Sequence, residues 1–166
     1  MTTLRHAGIA DDVQLHHAVQ QLEYRYARVL DSVELEAWID LFAEECRYKI
    51  LPRENYQRGL PLGLINCDSK GMLRDRVRSL REANIYNIHQ PRRLVGNVEI
   101  LGSRDGCYEV VANYTAYQTD AEGVTRLFSV GQYRDAVVVE AGELKFREKL
   151  VLLDTFSVPN LLAIPL

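Results

Sequence analysis

The side chains that could hold a metal in this chain are four histidines, His6, His16, His17 and His89, and three cysteines, Cys46, Cys67 and Cys107. An iron–sulfur cluster with mixed ligands needs two cysteines and two histidines grouped together. A mononuclear non-haem iron needs two histidines and one carboxylate facing a common point. His16 and His17 are adjacent, about 100° apart around a helix, and so diverge. His6 falls in a polar N-terminal stretch and His89 stands alone. On these grounds no metal-binding and no cofactor-binding residue is expected. The cysteines lie 21 and 40 residues apart with no close pair, which argues against a disulfide framework and points to a reducing cytoplasm. No activating partner is evident for them, so buried, inert thiols are expected.

Acid–base chemistry is the other possibility. Tyr26, Asp31, Asp40, His89 and Asn113 are the groups that a pocket between helix and sheet could turn inward. Each has a structural reading beside it. Tyr26 fits an apolar helix stripe with its hydroxyl at the rim, Asp31 with Ser32 looks like a helix end, and Asp40 lies between buried positions and points outward. There is no P-loop, dinucleotide glycine fingerprint or nucleophile elbow. Gly59-Leu60-Pro61-Leu62-Gly63 is a turn too apolar to cradle phosphate. No catalytic residue is assigned.

Two segments suit contact rather than chemistry. Asn84 to Arg93 is dense in donors and is either a solvated connection or a contact surface, since arginine forks and aromatics favour interfaces. Val158 to Leu166 has two prolines and an apolar end. Left free it would be an exposed patch, so it packs either on its own domain or on a partner.

The elements that must position these groups follow from periodicity. Leu15, Ala18, Val19, Leu22, Tyr26, Val29 and Leu30 recur at helical spacing, with Asp11 or Asp12 as the expected cap. A second helix is predicted over Glu34 to Ala43, with Trp38, Leu41 and Phe42 inward. A third opens at Asp68 or Ser69, buries Met72, Leu73, Val77 and Leu80, and ends near Asn84. Cys46 to Leu51 reads as a short strand stopped by Pro52, and 53–66 as loop. Four strands follow, at about 93–103, 107–119, 125–140 and 144–155, separated by Asp105-Gly106, Glu122-Gly123 and Ala141-Gly142. Tyr108, Val110, Ala112, Tyr114 and Ala116 alternate in the second. Leu144, Phe146, Leu150 and Leu152 do so in the fourth, where Glu148 interrupts the row.

Helices first and a long antiparallel meander after them is an α+β plan. Three N-terminal helices are expected on a curled antiparallel sheet forming a cone, because long strands twist strongly. At 166 residues there is one domain, taken as 12–166 behind an N-terminal arm of 1–11, and such a chain buries roughly 70% of its unfolded surface. With 20 basic and 23 acidic residues the net charge is -3, which does not suit a nucleic-acid partner. The local cluster Arg74, Arg76, Arg78 and Arg81 is interleaved with acids and reads as a solvated helix face. No apolar run reaches the ~20 residues of a membrane span, so neither membrane nor nucleic acid is an expected partner.

The order of local motifs resembles the β (small) subunits of Rieske-type aromatic-ring-hydroxylating oxygenases. The matching stretches are Tyr26-Ala27-Arg28-Val29-Leu30-Asp31, Trp38 through Tyr48, Asn55-Tyr56 through Gly59-Leu60, and Asp68 through Val77. Later ones are Arg92-Arg93-Leu94-Val95-Gly96-Asn97-Val98, Phe128-Ser129-Val130-Gly131-Gln132-Tyr133, Leu150 to Asp154, and Ile164-Pro165-Leu166. The resemblance implies a cystatin-like cone, as in nuclear transport factors and ketosteroid isomerases. It also implies a cytoplasmic hexamer of three α and three β subunits, in which β is structural and non-catalytic. The Rieske [2Fe–2S] cluster and mononuclear Fe(II) would then belong to α, with a reductase delivering electrons from NADH. The stretch Tyr48 to Val77 is most similar to subunits of enzymes for aromatic carboxylates or sulfonates such as salicylate, anthranilate or terephthalate. The competing readings are a stand-alone cone-fold isomerase, dehydratase or hydrolase using Tyr26, Asp31 and His89, and a dimerising ligand-binding module.

Overall fold

Gly-containing turns organise the second half of the chain. Asp105 and Gly106 take φ of 52° and 73°, and Ala141 and Gly142 take 52° and 81°. Both are two-residue loops with positive φ throughout, the turn whose twist matches that of the strands it joins. They connect β3 (Gln90–Arg104) to β4 (Cys107–Thr119) and β5 (Thr125–Glu140) to β6 (Glu143–Leu153). The β4–β5 turn is tied by Asp120, whose Oδ1 accepts from the Val124 amide at 2.8 Å. The computed structural model describes residues 7–82, 88–155 and 162–166, with side chains of the first helix from residue 12 onward.

Among the described residues six strands form one sheet in the order β2-β1-β6-β5-β4-β3, with β1 at Phe42–Pro52 and β2 at Ile65–Cys67. Neighbours are antiparallel except β1 and β6, which run parallel with Ile50 opposite Val151. The hairpin pattern did not contain that parallel pair: it arises because β1 is separated from the meander in sequence and returns to its edge. The sheet curls, and irregularities in β3, β5 and β6 bend it further.

Four helices are seen among the described residues, α1 (Ala7–Asp31), α2 (Leu35–Ile39), α3 (Arg53–Gln57) and α4 (Lys70–Glu82). The first begins at Ala7, so Asp11 and Asp12 lie inside it and are not its cap. It buries Val19, Leu22, Tyr26, Val29 and Leu30 against β3 and β6, while Ala18 stays exposed. Its C-terminus closes with the Glu34 amide on the Val29 carbonyl at 2.8 Å and Val33 at φ 57°, where glycine is usual. Helix α2 is shorter than predicted because Leu41, Phe42 and Ala43 pass straight into β1. Pro52 ends β1 and starts α3, which packs against β1 and β6; a plain loop was expected there. In α4, Ser69 Oγ caps the Met72 amide at 3.2 Å, and Leu73, Val77 and Leu80 are buried, but Met72 is 42% exposed.

One correction concerns the phase of β6. Glu148 pairs with Ala136 and Phe146 with Val137, so Arg147 is an extra residue in the ladder. That bulge shifts the inward set from Phe146 to Lys149, Val151 and Leu153. Glu148 therefore does not interrupt an inward row; it faces outward. The core holds interlocking rings: Trp38 with Phe42 and Tyr48 at 5.3 and 5.2 Å, Tyr26 with Phe146 at 5.6 Å, and Tyr114 stacked on Tyr133 at 4.5 Å.

Candidate functional site

Tyr26 comes from the C-terminal part of α1, Tyr48 from β1 and Arg93 from β3, and all three converge inside the cone. The two tyrosines are fully buried and Arg93 is 6% exposed. Both phenol hydroxyls donate to the backbone oxygen of Leu166, Tyr26 at 2.5 Å and Tyr48 at 3.0 Å, and the Leu166 amide donates to the Tyr48 hydroxyl at 3.0 Å. The Arg93 guanidinium donates to the Pro165 carbonyl. Arg76, from α4, reaches the Leu162 carbonyl at 2.9 Å. Residues 162–166 are all buried, with Leu162, Ala163, Ile164 and Leu166 part of the central apolar cluster.

Asp31 completes this arrangement from the end of α1. Its carboxylate accepts from Arg93 Nη1 at 2.6 Å and from the Arg93 amide at 3.0 Å, while Gln90 donates to the Asp31 carbonyl at 3.0 Å. An acid so occupied is a poor general base. Burial pushes the Tyr26 hydroxyl well above the ordinary phenol range, helped by Tyr48 and Tyr133. Burial likewise pushes Tyr48 up to about 12. Both phenols stay protonated and act as donors.

Beside this site lies a second polar group. Lys149 Nζ, fully buried, meets Glu23 Oε2 at 2.9 Å and Asp135 Oδ2 at 2.7 Å. It also sits 4.3, 4.0 and 4.2 Å from the ring centroids of Tyr26, Tyr133 and Phe146. Two carboxyls share one ammonium, and an additional negative charge in a dry interior is costly. Asp135 is accordingly shifted well above the ordinary carboxylate range, by burial first, with Lys149 opposing and Glu23 reinforcing.

Tyr26 and Asp31 are thus brought together through Arg93 and the tail, and the Tyr26 hydroxyl is inside, not at the rim. His89 is half-buried just before β3, Asp40 is exposed at the end of α2, and Asn113 faces outward from β4. The partners of Tyr26 are instead Leu166, Tyr133, Phe146 and Lys149. Arg92 is exposed, but Arg93 is buried and is not part of an outer contact surface. Arg76 serves the tail and does not belong to a purely solvated face. Of Asn84 to Arg93, residues 84–87 lie outside the described residues, as do 156–161 of the tail and His6. The described tail, 162–166, packs on its own domain.

Tyr48, Glu23, Asp135 and Lys149 were missed. A signal existed for three of them: Glu23 is four residues after Val19 on the apolar stripe, Asp135 alternates with Tyr133 and Val137, and Tyr48 with Cys46 and Ile50. Lys149 was hidden by the bulge. Among the described residues the possible metal ligands do not gather. His16 Nε2 pairs with the Val98 carbonyl at 2.9 Å, His17 is exposed, Cys46 and Cys67 are buried in the core, and Cys107 is half-buried. Among the described residues no group of three or more His, Cys, Asp or Glu could hold a metal, so the donors described fit neither an iron–sulfur cluster nor a mononuclear iron.

Comparison with known proteins gives this geometry its context. The family model described as "Ring hydroxylating beta subunit" matches residues 25–160. The anthranilate 1,2-dioxygenase small subunit of Burkholderia cepacia is 39% identical over 96% of this chain and 99% of its own. The β1 subunit of the terminal oxygenase component of terephthalate 1,2-dioxygenase from Comamonas sp. is 31% identical over 85% and 92%. A crystal structure from Novosphingobium aromaticivorans, described as the β subunit of an aromatic-ring-hydroxylating dioxygenase, superposes with a TM-score of 0.85. It is 35% identical and covers 93% of this chain and 99% of that one. With its cone fold, its ordered motifs and a family match across most of its length, the chain belongs to the ring-hydroxylating β subunits, the small subunits of aromatic dioxygenases.

Proposed function

We propose that this chain is the structural, non-catalytic subunit of a multicomponent oxygenase that hydroxylates an aromatic carboxylate, of the anthranilate or terephthalate type, in the cytoplasm. Residues 12–166 act as one unit in an assembly of three α and three β subunits. The α subunit carries the Rieske cluster and the catalytic iron, and a reductase feeds it from NADH. The observation that best supports a non-catalytic role is that Tyr26 and Asp31, the strongest acid–base candidates, are taken up by Leu166 and Arg93. The substrate class is supported by the names of the relatives.

The partner surface is assigned to the outer face of the meander. Arg92 lies opposite Tyr117 and Tyr117 opposite Leu127; Leu94 lies opposite Thr115, and Thr115 opposite Val130. Leu94 is 61% and Leu127 51% exposed, which sets apolar groups beside an arginine and a tyrosine on one face. Co-expression with the α subunit, followed by analytical ultracentrifugation and assays on anthranilate, terephthalate and salicylate, tests the reading. A hexamer that hydroxylates one of them is expected, and a chain that remains alone would refute it.

A further inference from the structure

The segment 162–166 is held as a bound peptide is held. Among the described residues it forms no main-chain hydrogen bond with any strand or helix backbone. Its main-chain polar atoms are met by side chains instead: Leu162 by Arg76, Pro165 by Arg93, and Leu166 by Tyr26 and Tyr48. Those four donors stand on α4, β3, α1 and β1, four separate walls of the cone. Two of them, both neutral phenols, converge on a single oxygen, and the Arg93 charge is already matched by Asp31 at 2.6 Å. The tail's own contribution is branched apolar side chains and backbone oxygens.

We propose that the interior of the cone is a latent binding pocket for a small acyl compound with a branched apolar body, kept filled by the chain's own Leu162–Leu166. The Tyr26 and Tyr48 hydroxyls would receive the ligand's carbonyl oxygen, and the places of the Ile164 and Leu166 side chains would receive its apolar body. Burial of both phenols in a dry site makes their paired donation selective for an acceptor: a compound with only a donor would leave two O–H groups unmet. This pocket is independent of the outer face assigned to the α subunit.

The test uses the full chain with Ile164→Ser and Leu166→Ser, which weakens the tail's hold without shortening it. Two probes are added: a fluorescent peptide of sequence Leu-Leu-Ala-Ile-Pro-Leu, read by anisotropy, and 4-methylpentanamide, read by the shift in melting temperature. Saturable peptide binding is expected, at least ~10-fold tighter than to the unmodified chain, whose own tail competes. Adding Tyr26→Phe and Tyr48→Phe should abolish both responses. A folded variant that binds neither probe, or binds equally well without the two hydroxyls, overturns the proposal. Should the serine variant fail to fold, hydrogen exchange of residues 162–166 in the unmodified chain decides. Faster exchange with millimolar 4-methylpentanamide supports the pocket, and unchanged exchange refutes it.

Discussion

Lys149 shows most clearly how much of the core can rest on a single polar residue. Its ammonium is fully buried between two carboxyls and three aromatic faces. Removing it strands two acids in the core, so Lys149→Ala should cost about 3–5 kcal/mol in urea unfolding. The combined set Glu23→Leu, Asp135→Leu and Lys149→Met should recover most of that loss, because a well-packed apolar core replaces a buried ionic group at little penalty. The pH dependence has a definite sign. Asp135 binds its proton more tightly folded than unfolded, so folding takes up a proton. Its contribution is fully present below the unfolded carboxyl value of about 4 and is lost as pH rises towards the higher folded value. Asp135→Asn should therefore flatten the decline of the urea midpoint with rising pH above that point. The thiols offer a simpler check. Burial pushes Cys46 up to about 11 and also raises Cys67. At pH 8, iodoacetamide should modify the half-buried Cys107 first and leave the other two intact until the chain unfolds, as mass spectrometry would show.

At the scale of the elements, β5 and β6 are the pair on which the interior depends. Gly131 lies opposite both Tyr114 and Leu153, and a Cβ there would run into the Leu152 carbonyl and crowd the Tyr114 ring. Because the obstacle is backbone, Gly131→Ala should destabilise by at least ~1–3 kcal/mol and disturb the Tyr114–Tyr133 stack, visible in near-ultraviolet circular dichroism. By contrast Gly102, where nothing crowds a Cβ, should tolerate alanine. Most elements were legible in the sequence: the bounds of β4 and β5 follow directly from alternation between Gly-containing turns. The Arg147 bulge was not. Periodicity reports which residues alternate, but an inserted residue changes which set faces in, and only cross-strand pairing reveals it.

For the whole molecule, the two surfaces at issue make separable predictions. Leu94→Asp with Leu127→Asp should leave the isolated chain folded, with an unchanged melting temperature, while sharply lowering the yield of complex with the α subunit on size exclusion. Both side chains are more than half exposed, so their loss removes little from the core. Deleting Leu161 to Leu166 should act the other way and lower the melting temperature of the isolated chain. The four tail residues of the apolar cluster and the backbone oxygen shared by Tyr26 and Tyr48 all leave the interior. An unaltered melting temperature would refute the tail's role as part of the core.

The histidines and cysteines with which the sequence began could be weighed before any fold was known. Four scattered histidines and three cysteines without a close pair already argued against an iron site, since ligands must converge and adjacent helical residues diverge. The α+β plan and the meander were likewise determined by local periodicity and turn chemistry, which act over a few residues. Tertiary structure alone decided that Arg93 turns inward to Asp31, that Glu23, Asp135 and Lys149 meet in the core, and that Leu166 fills the place where an acid–base site would stand. Those contacts join residues 62 to 140 positions apart, Asp135 and Lys149 being the exception at 14. Nothing in a local pattern encodes which distant partner a buried polar group will find.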